Sequence, residues 1–406
     1  MRKIITQNTL LFGTLLAMFS CKDDRGVEED NGLTSITIEN HYSIVRFKVL
    51  NISSGAKESS KVEWYAKVSD GNNATKDSLL SQMSTLEFIS PYAKNYDIIL
   101  KVYEGEKVME YPTKISVMKE SLPYSKYIAD VLEYRPAVGQ FVNKMPSYEQ
   151  GNTAEDLRQK ARKALLSNEM ISLGGYGGYV VFGFDHTIPN LEGRDFKILG
   201  NAFWANASQD ARSGSCEPGI IMVAYDKNKN GKPDDDEWYE IAGSEYFKDK
   251  TIKNYQITYY KPDDNKPAVP GASWQTDTQY IRWEDNQGNS GYKSKIMFHT
   301  QSYYPLWIAD TSYTFRGTKL ENNFYDQSGT GNYWVGKSYA YGYADNAPNN
   351  DEASNIDISW AVDAYGNYVK LPGIDFVKVY TGVNQEAGWL GEVSTEVAGA
   401  YNLYLK

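Results

Sequence analysis

The segment Val62-Glu63-Trp64-Tyr65-Ala66-Lys67-Val68 decides the fold class. Its apolar set Val62, Trp64, Ala66 and Val68 recurs every second residue, so these side chains share one face of a pleated strand and Glu63, Tyr65 and Lys67 share the other. The same period of two runs through 34–38, 43–50, 61–69, 97–103 and 114–118, with turn signals at Asp70-Gly71 and Glu104-Gly105. About seven short strands over residues 33–119 predict a small sandwich of antiparallel sheets.

Downstream the pattern changes. Residues 120–150 carry Pro123, Pro136 and Pro146 and read as a linker. Thr153 with Asp156 gives a capping-box start, and Leu157, Ala161, Ala164 and Leu165 form the apolar stripe of one helix through about residue 166. Strand patterns then recur at 178–184, 195–199, 219–225, 237–241, 255–260, 278–283, 295–299, 312–316, 356–362, 368–371 and 375–380. These are too many for one sheet. The chain is therefore expected to be all-β with one short helix, and residues 151–406 to form a large two-sheet β-sandwich, jelly-roll-like, that carries the ligand site.

The N-terminus reads as an address. Arg2 and Lys3 precede an apolar run over 10–19 that is too short to span a bilayer, and Ser20 is a small residue before Cys21. Residues 1–20 resemble a bacterial lipoprotein signal peptide, which implies acylation of Cys21 and a membrane anchor; the plainer alternative is a secretory signal. Lys22-Asp23-Asp24 resembles the tag that directs lipoproteins of Bacteroidota to the outer cell surface, and residues 21–32 read as a flexible tether. With Cys21 acylated only Cys216 remains, so no intramolecular disulfide is possible. A net charge of −10 without a basic patch excludes nucleic acid as a partner.

One motif specifies chemistry by spacing. Asp226-Lys227-Asn228-Lys229-Asn230-Gly231-Lys232-Pro233-Asp234-Asp235-Asp236-Glu237 fits the Asp-x-Asn-x-Asn-Gly-x5-Glu calcium loop. Asp226, Asn228, Asn230, Asp234 and Glu237 offer side-chain oxygens and Lys232 its carbonyl, the hard donors Ca2+ takes, while Gly231 permits the sharp turn. The flanks read as strands and Pro233 stands where a paired EF-hand has an apolar residue, so a solitary, stabilising Ca2+ loop on a β-hairpin is expected; the plainer alternative is a solvated acidic turn. A second acidic loop, 345–352, lacks defined spacing and reads more readily as a turn than a cation site.

Other chemistry is less legible. His41, His186 and His299 lack zinc spacing, and Gly174-Gly175-Tyr176-Gly177-Gly178 lacks the lysine of a phosphate loop. A glycosidase pair drawn from Glu217, Glu237, Glu240, Glu386 or Glu392 needs a separation that sequence does not show, so no enzyme is expected. With 33 Tyr and 9 Trp the chain is rich in rings, and Tyr303, Tyr304, Trp307, Trp334, Tyr339 and Tyr341 are expected to form a ligand platform, with Gln301, Asn332 and Asp345 as polar neighbours. In Tyr339-x-Tyr341-x-Tyr343 three rings are expected on one strand face; core packing is the alternative.

Two resemblances extend this reading. Trp64, Ser69-Asp70-Gly71 and Tyr96-Asp97-Ile98-Ile99-Leu100-Lys101-Val102 resemble a PKD-type, immunoglobulin-like spacer domain. Ser172 to His186, Asp195 to Phe203, Glu217-Pro218-Gly219-Ile220, Trp238-Tyr239 and Gly388-Trp389-Leu390-Gly391-Glu392 resemble a family of Bacteroidota cell-surface lipoproteins, across 122–406. That resemblance implies nutrient capture beside an outer-membrane transporter, with corrinoid uptake in some members. The expected function is thus capture of a small-molecule nutrient, a corrinoid or a glycan, at the outer membrane. A structural or adhesive surface protein is the alternative, and a glycan hydrolase the lesser one.

Overall fold

The computed structural model describes residues 36–69 and 75–406. Cys21, the signal-like segment and the tether lie outside the described residues, as does Asp70-Gly71. Among the described residues no helix is long and apolar enough to cross a membrane.

The N-terminal alternation becomes a five-stranded sheet in the order His41–Val45, Lys107–Met118, Asn95–Glu104, Lys61–Ser69, Thr75–Ser81. Its first pair is parallel and the others antiparallel, with Trp64 opposite Leu100 and Val62 opposite Val102. A two-stranded sheet, Leu50–Ser53 with Thr85–Phe88, accompanies it. Val62, Trp64, Ala66, Leu100 and Val102 are buried, as are Ile52, Leu86 and Phe88 of the smaller sheet. The Trp64 indole donates to the Met83 carbonyl at 3.1 Å, so the largest ring in this core leaves no polar atom unsatisfied.

The stretch 120–150, expected as a linker, supplies a strand to the second sandwich. Asp130–Arg135 pairs with Tyr179–Pro189 at the edge of a six-stranded sheet that continues through Gly373–Thr381, Gly219–Ala224, Trp238–Ile241 and Ala361–Val362. This sheet is buried on both faces, which explains the unbroken apolar run Gly219-Ile220-Ile221-Met222-Val223-Ala224. Ile220 and Tyr380 pack toward a four-stranded sheet of Ser290–Ile296, Gln275–Asp285, Ile252–Tyr260 and Ser312–Lys319, against Tyr255, Ile257, Tyr259 and Ile281. Ile221, Val223, Val377 and Val379 face the helix Ala154–Leu166 and the strands Phe196–Leu199 and Gly399–Asn402. The large region is therefore a β-sandwich with a further covering layer.

The helix forms as its sequence dictates. Thr153 caps it, accepting from the Asp156 amide at 3.2 Å while Asp156 accepts from the Thr153 amide at 2.8 Å, and Leu157, Ala161, Ala164 and Leu165 are its buried stripe. Phe47 of the N-terminal sandwich packs edge-on against His186 at 4.8 Å. The buried His186 ring bonds Asp185 through Nδ1 and Asn402 through Nε2, each at 2.7 Å, so this histidine is a satisfied structural residue joining the two sandwiches.

Candidate functional site

The loop between Gly219–Ala224 and Trp238–Ile241 draws its oxygen-bearing side chains together. The Asp226 carboxylate accepts from the amides of Asn230 at 2.9 Å and Gly231 at 2.8 Å, and Asn230 Oδ1 accepts from the Lys232 amide at 2.7 Å. Asp234 accepts from the side-chain amides of Asn228 at 2.6 Å and Asn230 at 2.8 Å. Glu237 closes the loop, accepting from the amides of Lys227 at 2.9 Å and Asp234 at 3.1 Å. Gly231 has φ +76°, as the sharp turn requires. The flanking strands pair antiparallel, with Ala224 opposite Trp238. The donor set is all oxygen, the type a hard divalent cation takes, although the carboxylates of Asp226, Asp234 and Glu237 are not gathered within 4.8 Å of one another as those of Glu217, Asp345 and Glu396 are.

The six rings expected as a platform divide between two cores. Tyr303 and Tyr304 are each 2 % exposed; their hydroxyls donate to the carbonyls of His299 at 3.1 Å and Asp310 at 2.7 Å. They are interior packing and not a surface for a ligand. Trp334 and Tyr339, both half-buried, pack on the same core, whereas Trp307 belongs to the other core and stacks on Tyr134 and Tyr148 at 6.3 and 6.2 Å. Tyr341 lies against Trp360, centroids 4.6 Å apart. Residues 339–343 do not form a strand, so the three tyrosines do not share a strand face. Of the polar neighbours, Gln301 donates to the Gln140 carbonyl, the Asn332 carbonyl accepts from the Trp389 indole at 3.3 Å, and Asp345 lies beside Glu217 and Glu396, so all three border the site described next.

A cavity of about 440 Å³ opens elsewhere in the large sandwich. Glu217, Glu392 and Glu396 supply its carboxylates, and Phe141, Phe298 and Trp389 its rings. Phe298 and Trp389 are 58 % and 38 % exposed and meet edge-on at 6.5 Å. The turn Gly388–Leu390, closed by the Ala387 amide donating to the Gly391 carbonyl at 2.8 Å, presents the Trp389 ring. Behind the rings, Glu392 Oε1 accepts from the Gln140 amide and the Gln140 side-chain nitrogen donates to the Leu390 carbonyl. Three buried polar atoms of residues that line this cavity have no partner among the described residues: Glu392 Oε2, Gln140 Oε1 and His299 Nδ1. Glu392 and Gln140 are only 7 % and 5 % exposed, so each orphan atom costs free energy until a hydrogen-bond partner reaches it.

The electrostatics follow from burial. The Glu392 carboxyl is pushed up to about 8 by burial, against the pull of the Gln140 amide and of Lys293. Burial likewise raises Glu217, Asp345 and Glu396, and the nearness of these carboxylates to one another raises Glu217 and Glu396 further. Asp345 is oriented by three main-chain donors, the amides of Asn201 at 2.7 Å, Ala202 at 2.8 Å and Glu396 at 3.0 Å. The rest of the 345–352 loop is committed to structure: Asn346 brackets Tyr339, Asn349 brackets Gly200, and Asp351 caps a short turn through the Ala353 amide. Lone Cys216, fully buried, has its thiol pushed up to about 12, the state of an inert filler.

Sequence reasoning named Glu217 and Glu392 as two of five acids and within the motifs that carry the resemblance, and His299 only as a histidine without zinc spacing. Gln140 and Glu396 carried no local signal; the site draws on residues up to 256 positions apart, Gln140 to Glu396. No family model matches the chain, and no curated protein matches it. Among solved structures it is similar to a DUF4784 family protein from Bacteroides caccae ATCC 43185, at 12 % identity over 63 % of this chain and 79 % of that chain, with a TM-score of 0.15. A likeness of that degree carries no argument about fold or function.

Proposed function

We propose that the protein captures a saccharide in the cavity between Gln140, Glu392 and Trp389, without turnover, and that acyl chains on Cys21 hold it at the outer cell surface. One observation carries the ligand reading: Glu392, Gln140 and His299, each with a buried polar atom that has no partner among the described residues, line the same cavity as the exposed rings of Trp389 and Phe298. Sugar hydroxyls both donate and accept and so satisfy such atoms in either protonation state, and the apolar face of a pyranose lies against an aromatic ring. A volume of about 440 Å³ sits in the lower half of the ~300–1,000 Å³ range of small-molecule sites, which favours a sugar over a corrinoid macrocycle. The anchor reading rests on Ser20-Cys21-Lys22-Asp23-Asp24 alone.

Calorimetric titration with a saccharide panel and with cobalamins tests the ligand. Saturable binding to a saccharide is expected, and Trp389→Ala is expected to weaken it about 30-fold, the ~2 kcal/mol typical of an aromatic anchor, with the melting temperature unchanged. Heat from cobalamins but from no saccharide, or unaltered binding by the variant, overturns the reading. For the anchor, Cys21→Ala is expected to leave the membrane fraction; retention there refutes acylation as the tether.

A further inference from the structure

We infer that Glu217, Asp345 and Glu396 form a second divalent-cation site, of the Ca2+ class, at the floor of the cavity and separate from the 226–237 loop. It shares the cavity and the unpartnered Glu392 oxygen with the saccharide reading, and its test reads bound Ca2+ rather than bound sugar. One carboxylate oxygen from each residue lies within 4.8 Å of the others. Oxygens bound to one Ca2+ at 2.3–2.6 Å are at most about 5 Å apart, so the three lie close enough together to share a single ion. Glu217 and Glu396 line the cavity and Asp345 stands behind them, which leaves the cavity side open for water or a solute hydroxyl to complete the shell.

The charge balance points the same way. Among the described residues, no lysine, arginine or histidine is ion-paired to Glu217, Asp345, Glu392 or Glu396. Buried carboxylates this close repel unless a cation or a proton lies between them. The independent sign of a ligand is Glu392: it is 93 % buried by its 7 % exposure, lines the same cavity, and keeps Oε2 without any partner in the chain. The Asn201 side-chain nitrogen donates to both Asp345 oxygens, at 3.1 and 3.2 Å. The competing occupant is a proton shared between Glu217 and Glu396.

Equilibrium dialysis of the full chain against Ca2+ at about 1 mM, the weak end of the range for extracellular calcium modules, decides between them. Glu217→Gln, which keeps shape and removes charge, is expected to bind one equivalent fewer than the unaltered protein, and Asp226→Asn, acting on the loop, to leave that difference intact. Melting supplies the control. In chelator Glu217→Gln is expected to melt no lower than the parent, because a repulsive contact is gone, while its melting temperature rises less on adding Ca2+. An unchanged stoichiometry in Glu217→Gln overturns the site and leaves the shared proton. So does a lower melting point in chelator with an undiminished Ca2+ response.

Discussion

Glu63 and Glu392 are both buried glutamates in β-sandwiches, and their surroundings are opposite. Glu63 in the N-terminal sandwich accepts from the hydroxyls of Tyr103 at 2.6 Å and Tyr65 at 2.7 Å and from the Gln82 amide at 3.1 Å, with Lys61 at 2.9 Å. Those donors, Tyr103 foremost, hold its carboxyl at about 2. Glu392 has one main-chain donor, an orphan oxygen, and a carboxyl raised to about 8 by burial. The N-terminal sandwich satisfies Glu63 from within the chain, whereas the large sandwich leaves Glu392 with a polar atom that has no partner among the described residues. This is the physical difference between a structural polar group and a binding group.

If that contrast holds, damage to the two regions separates into stability and binding. The largest effect is expected from Trp64→Ala, which empties the N-terminal core. Urea unfolding is expected to show a loss of about 3–5 kcal/mol, with the number of bound Ca2+ ions unchanged; loss of an ion would break the separation. Next is the loop at 226–237. Chelation is expected to lower the melting temperature, and a site filled at 100 times its dissociation constant contributes about 2.7 kcal/mol by mass action. Asp226→Ala with Glu237→Ala is expected to abolish the part of the shift that this loop supplies, and an undiminished shift would remove the loop from the account.

The smallest effect sharpens the comparison most. In chelator, Glu392 holds its proton up to about 8 in the folded chain, against about 4.3 when unfolded. Its contribution to stability is therefore full below about pH 4 and is lost as pH rises through about 8, at up to ~1.4 kcal/mol per pH unit. Glu63 has the opposite sign. Its folded value lies near 2, so its contribution is present above about pH 4 and is lost as pH falls toward 2. Thermal melts across pH are expected to lose the alkaline slope in Glu392→Gln and part of the acid slope in Glu63→Gln. The same slope lost in both variants would erase the distinction.

What was legible in the sequence was whatever the chain specifies locally. The alternation at 62–68 and the capping box at Thr153 each depend on neighbours within a dozen residues, and each appears as read; the spacing at 226–237 is equally local and closes a turn between two strands, while its reading as a calcium loop rests on the spacing. Asp130–Arg135 was missed because its buried residues, Val131 and Tyr134, are three apart. A register shift opposite them, between Val181 and Phe182, replaces the period of two. Tyr339-x-Tyr341-x-Tyr343 misled in the reverse sense. Gly342 at φ +88° bends the backbone against Gly243 there, where any side chain would collide with the Gly243 Cα, and the alternating letters record no pleat. The cavity was illegible because its orphan acceptors come from separate turns, and no spacing rule connects them.

Cys216 gives the cavity wall a clock. It is fully buried between Ser213–Ser215 and Glu217, with hardly any thiolate at neutral pH. In a chain whose Cys21 is acylated or replaced, a thiol reagent finds its target only when this wall opens. The rate of labelling then times the opening itself, and a ligand or cation that seals the cavity slows it in proportion to occupancy. One silent sulfur thus converts an equilibrium question about binding into a measurable rate.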